Sequence, residues 1–99
     1  MLTLDEIRKD LKEIRYYYSH KKPMDGAFLD VVSNSVMDKV KKYNEAVSVA
    51  PPQIYDTYIN LYVKNNTQEG LSIEWGYTPK YIYWFNRKLL LFLQSQMND

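Results

Sequence analysis

The chain has 99 residues, with 13 Lys and Arg against 12 Asp and Glu, and no cysteine. That length supports one domain with a modest core, and the lack of thiols excludes disulfide staples and thiolate metal sites. A formal net charge of +1 places the chain outside the strongly basic proteins that bind nucleic acid on charge alone, and ten tyrosines predict a core plus one adhesive surface.

The first predicted element is a helix over residues 3–18. Thr3 and Glu6 form a capping-box pair, and Leu4, Ile7, Leu11, Ile14 and Tyr18 recur three and four residues apart. Asp5 with Lys9, and Lys9 with Glu13, mark the solvated side. The seam also suits a coiled-coil dimer, but two heptads are few for one, so packing within the chain is the expectation. HKKPMDG, residues 20–26, reads as a turn that holds the single histidine, His20. The apolar run over residues 27–32 fits helix or strand, and its helical surroundings favour helix. A second long helix is expected from Asn34 or Ser35 to Ala50, with Val36, Val40, Tyr43 and Val47 on one face. Its Asp38–Lys42 and Lys41–Glu45 pairs support the exposed side.

Pro51 and Pro52 end that helix and begin the next, since proline suits a first turn and restricts the residue before it. Residues 53–64 form a third helix with Ile54, Tyr55, Tyr58, Leu61 and Tyr62 on its apolar side. Asn65-Asn66 closes it, asparagine being suited to a left-handed cap.

Residues 67–93 have the layout of a helix-turn-helix. Thr67 stands at an N-cap position, Leu71 and Trp75 share a face, and Gly76 ends the first helix. Thr78 caps the second helix and Pro79 takes its first position. Along that helix Ile82, Phe85, Leu89, Phe92 and Leu93 form a core stripe. Lys80, Tyr83, Trp84, Arg87 and Leu91 cluster almost opposite. Such a face can meet DNA: Arg87 suits guanine or a phosphate, and Lys80 a phosphate. Lys88 and Lys64 are the further candidates near phosphates, and Thr67 and Gln68 open a helix whose first N–H groups suit an anion. The same aromatic stripe suits a protein surface equally well.

Chemistry beyond binding has little support. His20 has no obvious acidic partner, the carboxylates are scattered over polar helix faces, and glycines at 26, 70 and 76 form no phosphate loop. The expectation is a non-enzyme with no cofactor and no metal. The longest apolar run, residues 89–93, is too short to span a membrane, and the N-terminus lacks a signal-peptide order, so the default is a cytoplasmic protein.

From residue 58 to residue 90 the chain resembles region four of bacterial sigma factors, the helix-turn-helix that reads the promoter −35 element. Tyr62, Thr67, Gln68, Glu69, Leu71, Gly76, Tyr77, Thr78, Ile82 and Leu90 fall on its aromatic, cap, core and turn positions, with Ser72 where the two helices approach closely. Over nearly its full length the chain resembles a group of phage and prophage proteins of Gram-positive bacteria, particularly streptococci. The segments that carry this are LDEIRKDLKEIRYYYS, KVKKYNEAV, PPQIYDTYINLYVKNNTQE and GYTPKYI. That group is related to the autolysin-regulator-type (ArpU-like) phage late transcription regulators.

By this resemblance Pro79, Lys80, Tyr83 and Trp84 match the promoter-reading positions. Sigma factors place mostly charged or amide side chains there, where this chain has proline and two aromatics. Gly70 stands where the pattern has an acidic residue, so half of the second capping box is lost.

The expected protein is therefore all-α and a single domain over residues 1–99. N-terminal helices (1–50) pack on a sigma-region-four-like helix-turn-helix half (51–99). The resemblance implies a transcription regulator that binds double-stranded promoter DNA. RNA polymerase or a second copy in a homodimer would supply affinity that few basic residues cannot. The alternatives are a protein-interaction module that kept the fold and a structural phage component.

Overall fold

The computed structural model describes residues 1–21 and 34–98, and every regular element among them is helical. The first helix, α1, is Leu4–Lys21. Its start is a reciprocal capping box: Thr3 Oγ1 accepts from the Glu6 N–H at 3.1 Å, and Glu6 Oε1 from the Thr3 N–H at 3.3 Å. Ile7, Leu11 and Ile14 are buried as the seam predicts. Tyr17, not Tyr18, completes it, because α1 is covered on two sides and its buried arc is wider than a single-partner seam.

Helix α1 also runs past the predicted end at Tyr18. His20 therefore lies in its last turn and not in a loop. The imidazole stacks on Tyr16 with ring centroids 3.9 Å apart. Its Nδ1 lies 2.9 Å from the Tyr16 carbonyl oxygen and 2.8 Å from Ser19 Oγ. The rest of the predicted turn and the apolar run at 27–32 lie outside the described residues.

Helix α2, Asn34–Val47, turns Val40, Tyr43 and Val47 inward. It stops three residues before Ala50, in a turn where the Ala50 N–H bonds the Val47 carbonyl at 3.0 Å. Helix α3, Pro52–Tyr58, then opens with proline in its first turn. It does not continue as a regular α-helix to Lys64. Ile59–Val63 is a π-helical turn, closed by the Lys64 N–H on the Ile59 carbonyl at 2.8 Å. Asn65 at φ 60° ends it in the left-handed conformation, as its sequence predicts.

Helix α4, Gln68–Trp75, is capped by Thr67, whose hydroxyl accepts from the Gly70 N–H at 2.9 Å. Gly76 at φ 73° ends it. The Gly76 N–H bonds Ile73 and the Tyr77 N–H bonds Ser72, a paired closure that satisfies two terminal carbonyls. Helix α5, Pro79–Met97, starts as expected with Pro79, but the Thr78 side chain makes no capping bond. The Thr78 carbonyl instead accepts from Tyr81 at 3.0 Å.

Burial divides into two clusters that share α5. The larger joins Ile7, Leu11, Ile14 and Tyr17 of α1, Val40, Tyr43 and Val47 of α2, and Tyr58 of α3 to Leu89, Leu90 and Leu93. The smaller joins Leu61, Leu71, Ile82 and Phe85, with Trp75 at its edge, and Tyr62 packs against both. The N-terminal half thus rests on the C-terminal half of α5, and α4 rests on its beginning. Leu90 is buried where Phe92 was expected, since α1 covers that flank of α5 and leaves Phe92 half-buried.

Polar bonds fix the ends. Asn98 accepts from the Leu2 N–H at 2.8 Å and donates to the Leu2 carbonyl at 3.0 Å. Among the described residues no helix is long and apolar enough to cross a membrane.

Candidate nucleic-acid interface

The core stripe of α5 determines what its other side presents. With Ile82, Phe85 and Leu89 buried, residues turned about 180° away must face solvent. Lys80, Tyr83 and Trp84 do so, with Tyr83 52% and Trp84 48% exposed. Arg87 is half-buried, and Lys88 and Leu91 are exposed. Tyr83 and Trp84 meet edge to face, with centroids 6.1 Å apart and planes at 76°. That contact stiffens two adjacent rings without covering them.

The structure therefore brings together Lys80, Tyr83, Trp84, Arg87 and Lys88 along the first half of one helix. Lys64, Thr67 and Gln68 form a separate exposed group around the start of α4, and no hydrogen bond or ring contact joins it to the first. Two of its expected functions are already engaged inside the protein. The Thr67 hydroxyl caps Gly70, and the Thr67 N–H donates to Asn66 Oδ1 at 2.9 Å. Gln68 and Glu69 retain first-turn N–H groups that have no intrahelical acceptor. Glu69 brings negative charge to the same turn, so an anion there would meet a competing carboxylate.

Sequence spacing missed several neighbours. Tyr77 and Tyr81 are 45% and 54% exposed, lie 5.6 Å apart by centroid, and brace on Phe85 through Tyr77. Their four-residue interval was the available signal. Asn86 accepts from the Tyr62 hydroxyl at 2.6 Å and so sets α5 against the π turn. Burial pushes the Tyr62 hydroxyl pKa up, against the opposing pull of that bond and of Arg15 and Arg8. Arg15 itself donates to Asn65 Oδ1 at 3.2 Å and to the Asn66 carbonyl at 3.4 Å, holding the turn that precedes α4. No local pattern announces that link.

Among the described residues no group of three or more His, Asp or Glu side chains is placed to hold a metal ion. Chemically the α5 face offers charge, hydrogen-bond donors and aromatic surface, which are means of recognition. No family model, curated protein or solved structure matches this chain.

Proposed function

We propose that this protein is a small non-enzymatic transcription regulator of the phage type, working in the cytoplasm and binding double-stranded DNA through α4 and α5. The observation that carries the reading is the first half of α5, where the exposed Lys80, Tyr83 and Trp84 and the half-buried Arg87 stand opposite the buried Ile82, Phe85 and Leu89. A helix presented in this way after a short glycine turn suits the major groove. In this reading Arg87 and Lys80 supply charge to bases or phosphates, and the two aromatic rings supply apolar contact, for which the thymine methyl is the natural target. Lys88 and Lys64 approach phosphates, and Thr67 and Gln68 shape the start of α4. Resemblance to sigma region four and to autolysin-regulator-type phage proteins supports this assignment. Affinity beyond what a net charge of +1 allows would come from a second copy or from RNA polymerase.

The test is selection from a randomised duplex library near physiological salt, with Lys80→Ala/Arg87→Ala beside the wild type. Enrichment of one sequence by the wild type and its loss in the variant are expected. No enrichment with or without polymerase would sink the reading.

A second reading has its own observation. Tyr77, Tyr81, Tyr83 and Trp84 are each about half exposed, and contiguous aromatic surface of this kind marks protein contacts. A protein-interaction module would use this face, and its binding would change little with salt.

A further inference from the structure

Charge is sorted on α1. With each residue turned about 100° from the last, Arg8, Lys12 and Arg15 share one stripe, and Asp10 and Glu13 lie on another flank. The acidic flank is partly paired within the fold. Lys39 of α2 lies 3.3 Å from Asp10 and 2.7 Å from Glu13, and the Tyr43 hydroxyl donates to Asp10 at 2.7 Å. Among the described residues the basic stripe has one acidic neighbour in contact. Asp5 pairs with Arg8 at 3.0 Å but is itself 94% exposed, the kind of surface pair that a stronger anion displaces at little cost.

The stripe borders the face already described. Its far end is Arg15, which bonds Asn65 and Asn66 beside Lys64 and immediately before the Thr67 cap. The Arg15 and Arg8 charges both act on the Tyr62 hydroxyl, which in turn donates to Asn86, the neighbour of Arg87. Arg15 thus sets the basic stripe of α1 beside Lys64 and the turn that precedes α4. Arg8 to Arg15 spans about 10 Å of helix rise, comparable to three base-pair steps.

Resting on the reading of α5 as a DNA-binding helix, we propose that Arg8 and Lys12 contact backbone phosphates beside the site that α5 reads. Arg15 is the positioning residue that fixes this stripe against the turn before α4. Net charge conceals such a footprint, because Asp10 and Glu13 lie on the other flank of α1, paired with Lys39.

The test measures affinity of the intact chain for a short mixed-sequence duplex across a range of salt. Wild type, Arg8→Gln/Lys12→Gln and Lys80→Ala/Arg87→Ala are compared, with binding to polyglutamate as a parallel arm. The Arg8→Gln/Lys12→Gln protein is expected to lose about 1.8 from the slope of log affinity on log salt, at about 0.9 per phosphate. Should that variant fold poorly, Lys12→Gln alone is expected to lose about 0.9. An unchanged slope there, with a reduced slope in Lys80→Ala/Arg87→Ala, overturns the stripe and leaves the α5 reading standing. An unchanged duplex slope with lost polyglutamate binding overturns it in favour of an acidic protein partner. Absence of duplex binding by the wild type overturns both.

Discussion

Arg15 reaches fifty residues along the chain to donate from Nε to the side-chain oxygen of Asn65, at 3.2 Å. The acceptor is the one non-glycine residue with positive φ among those described, so the guanidinium stabilises a backbone conformation that other side chains resist. Its second bond, to the Asn66 carbonyl at 3.4 Å, extends the hold to the residue before the α4 cap. Arg15→Ala is expected to cost about 1 kcal/mol in denaturant unfolding, since both bonds are long and partly exposed. Amide exchange should quicken at residues 66–70 more than in α2. Lys in its place should recover little, because one ammonium cannot reproduce the two-pronged geometry.

Alkaline pH should unfold the protein by a specific route. Burial raises the pKa of Tyr43 and Tyr58 well above the ordinary 10.0, with the Asp10 carboxylate adding to the effect at Tyr43. Burial likewise raises Tyr62. The Glu13 hydrogen bond raises Lys39 above 10.5. Groups raised on folding contribute stability that is complete below their unfolded pKa and lost as pH rises through the folded one. Stability is therefore expected to be insensitive to these groups up to about pH 10 and to fall above it. Tyrosinate absorbance from these three rings should appear together with loss of helical circular dichroism. Their ionisation in a fully helical protein would contradict this account.

The two described glycines should respond differently to alanine. A Cβ at Gly76 meets nothing within 4 Å, so Gly76→Ala bears only the cost of its φ of +73°, about 1 kcal/mol. At Gly70 the added carbon would lie 2.5 Å from Asn66 Oδ1 and 3.0 Å from Thr67 Oγ1. Gly70→Ala gains about 1 kcal/mol of helix propensity but displaces the Asn66 side chain, which bonds the Thr67 N–H and Glu74. Near-neutrality is expected in the wild type. In an Asn66→Ala background the same change should stabilise, and thermal melts of the four proteins in that cycle would show it.

Trp84 offers a direct optical report. It is 48% exposed, whereas Trp75 is half-buried beside Phe85 with centroids 6.2 Å apart. Trp84→Ala is expected to leave the melting temperature within about 2 °C, as surface substitutions do, and to abolish the fluorescence change on adding the selected duplex. A retained change would assign the signal to Trp75 and move the contact to α4.

Much of this architecture is written in local pattern. The three-and-four spacing of Ile7, Leu11 and Ile14, the Thr67 and Gly76 signals and the split faces of α5 each need only neighbouring residues to be read. Tyr17 escaped, and Leu90 was placed by the resemblance and not by the helical period, because burial on a helix flank depends on which other helix covers it. His20 was misplaced because the α1 pattern continues into a lysine-rich stretch that reads as turn. The alkaline cluster of Tyr43, Asp10 and Lys39 joins two helices across the masking noise of ordinary surface charge. Exposure of Lys80, Tyr83 and Trp84 was legible from the helical period. The Arg15 hold on Asn65 was not, since it is wholly non-local.

The π turn at Ile59–Val63 has a consequence for how this molecule can change over generations. Such a turn holds one more residue than regular helix would, so it is where a codon can be gained or lost without breaking the rod. Each such event would rotate all that follows by about 100° relative to α1 and α2. Tyr58, just before the turn, belongs to one core cluster, and Leu61, within it, belongs to the other. Because Leu89, Leu90 and Leu93 of α5 pack with α1 and α2, that rotation would carry them out of the larger core, so the length of the turn is held by the packing on both sides of it.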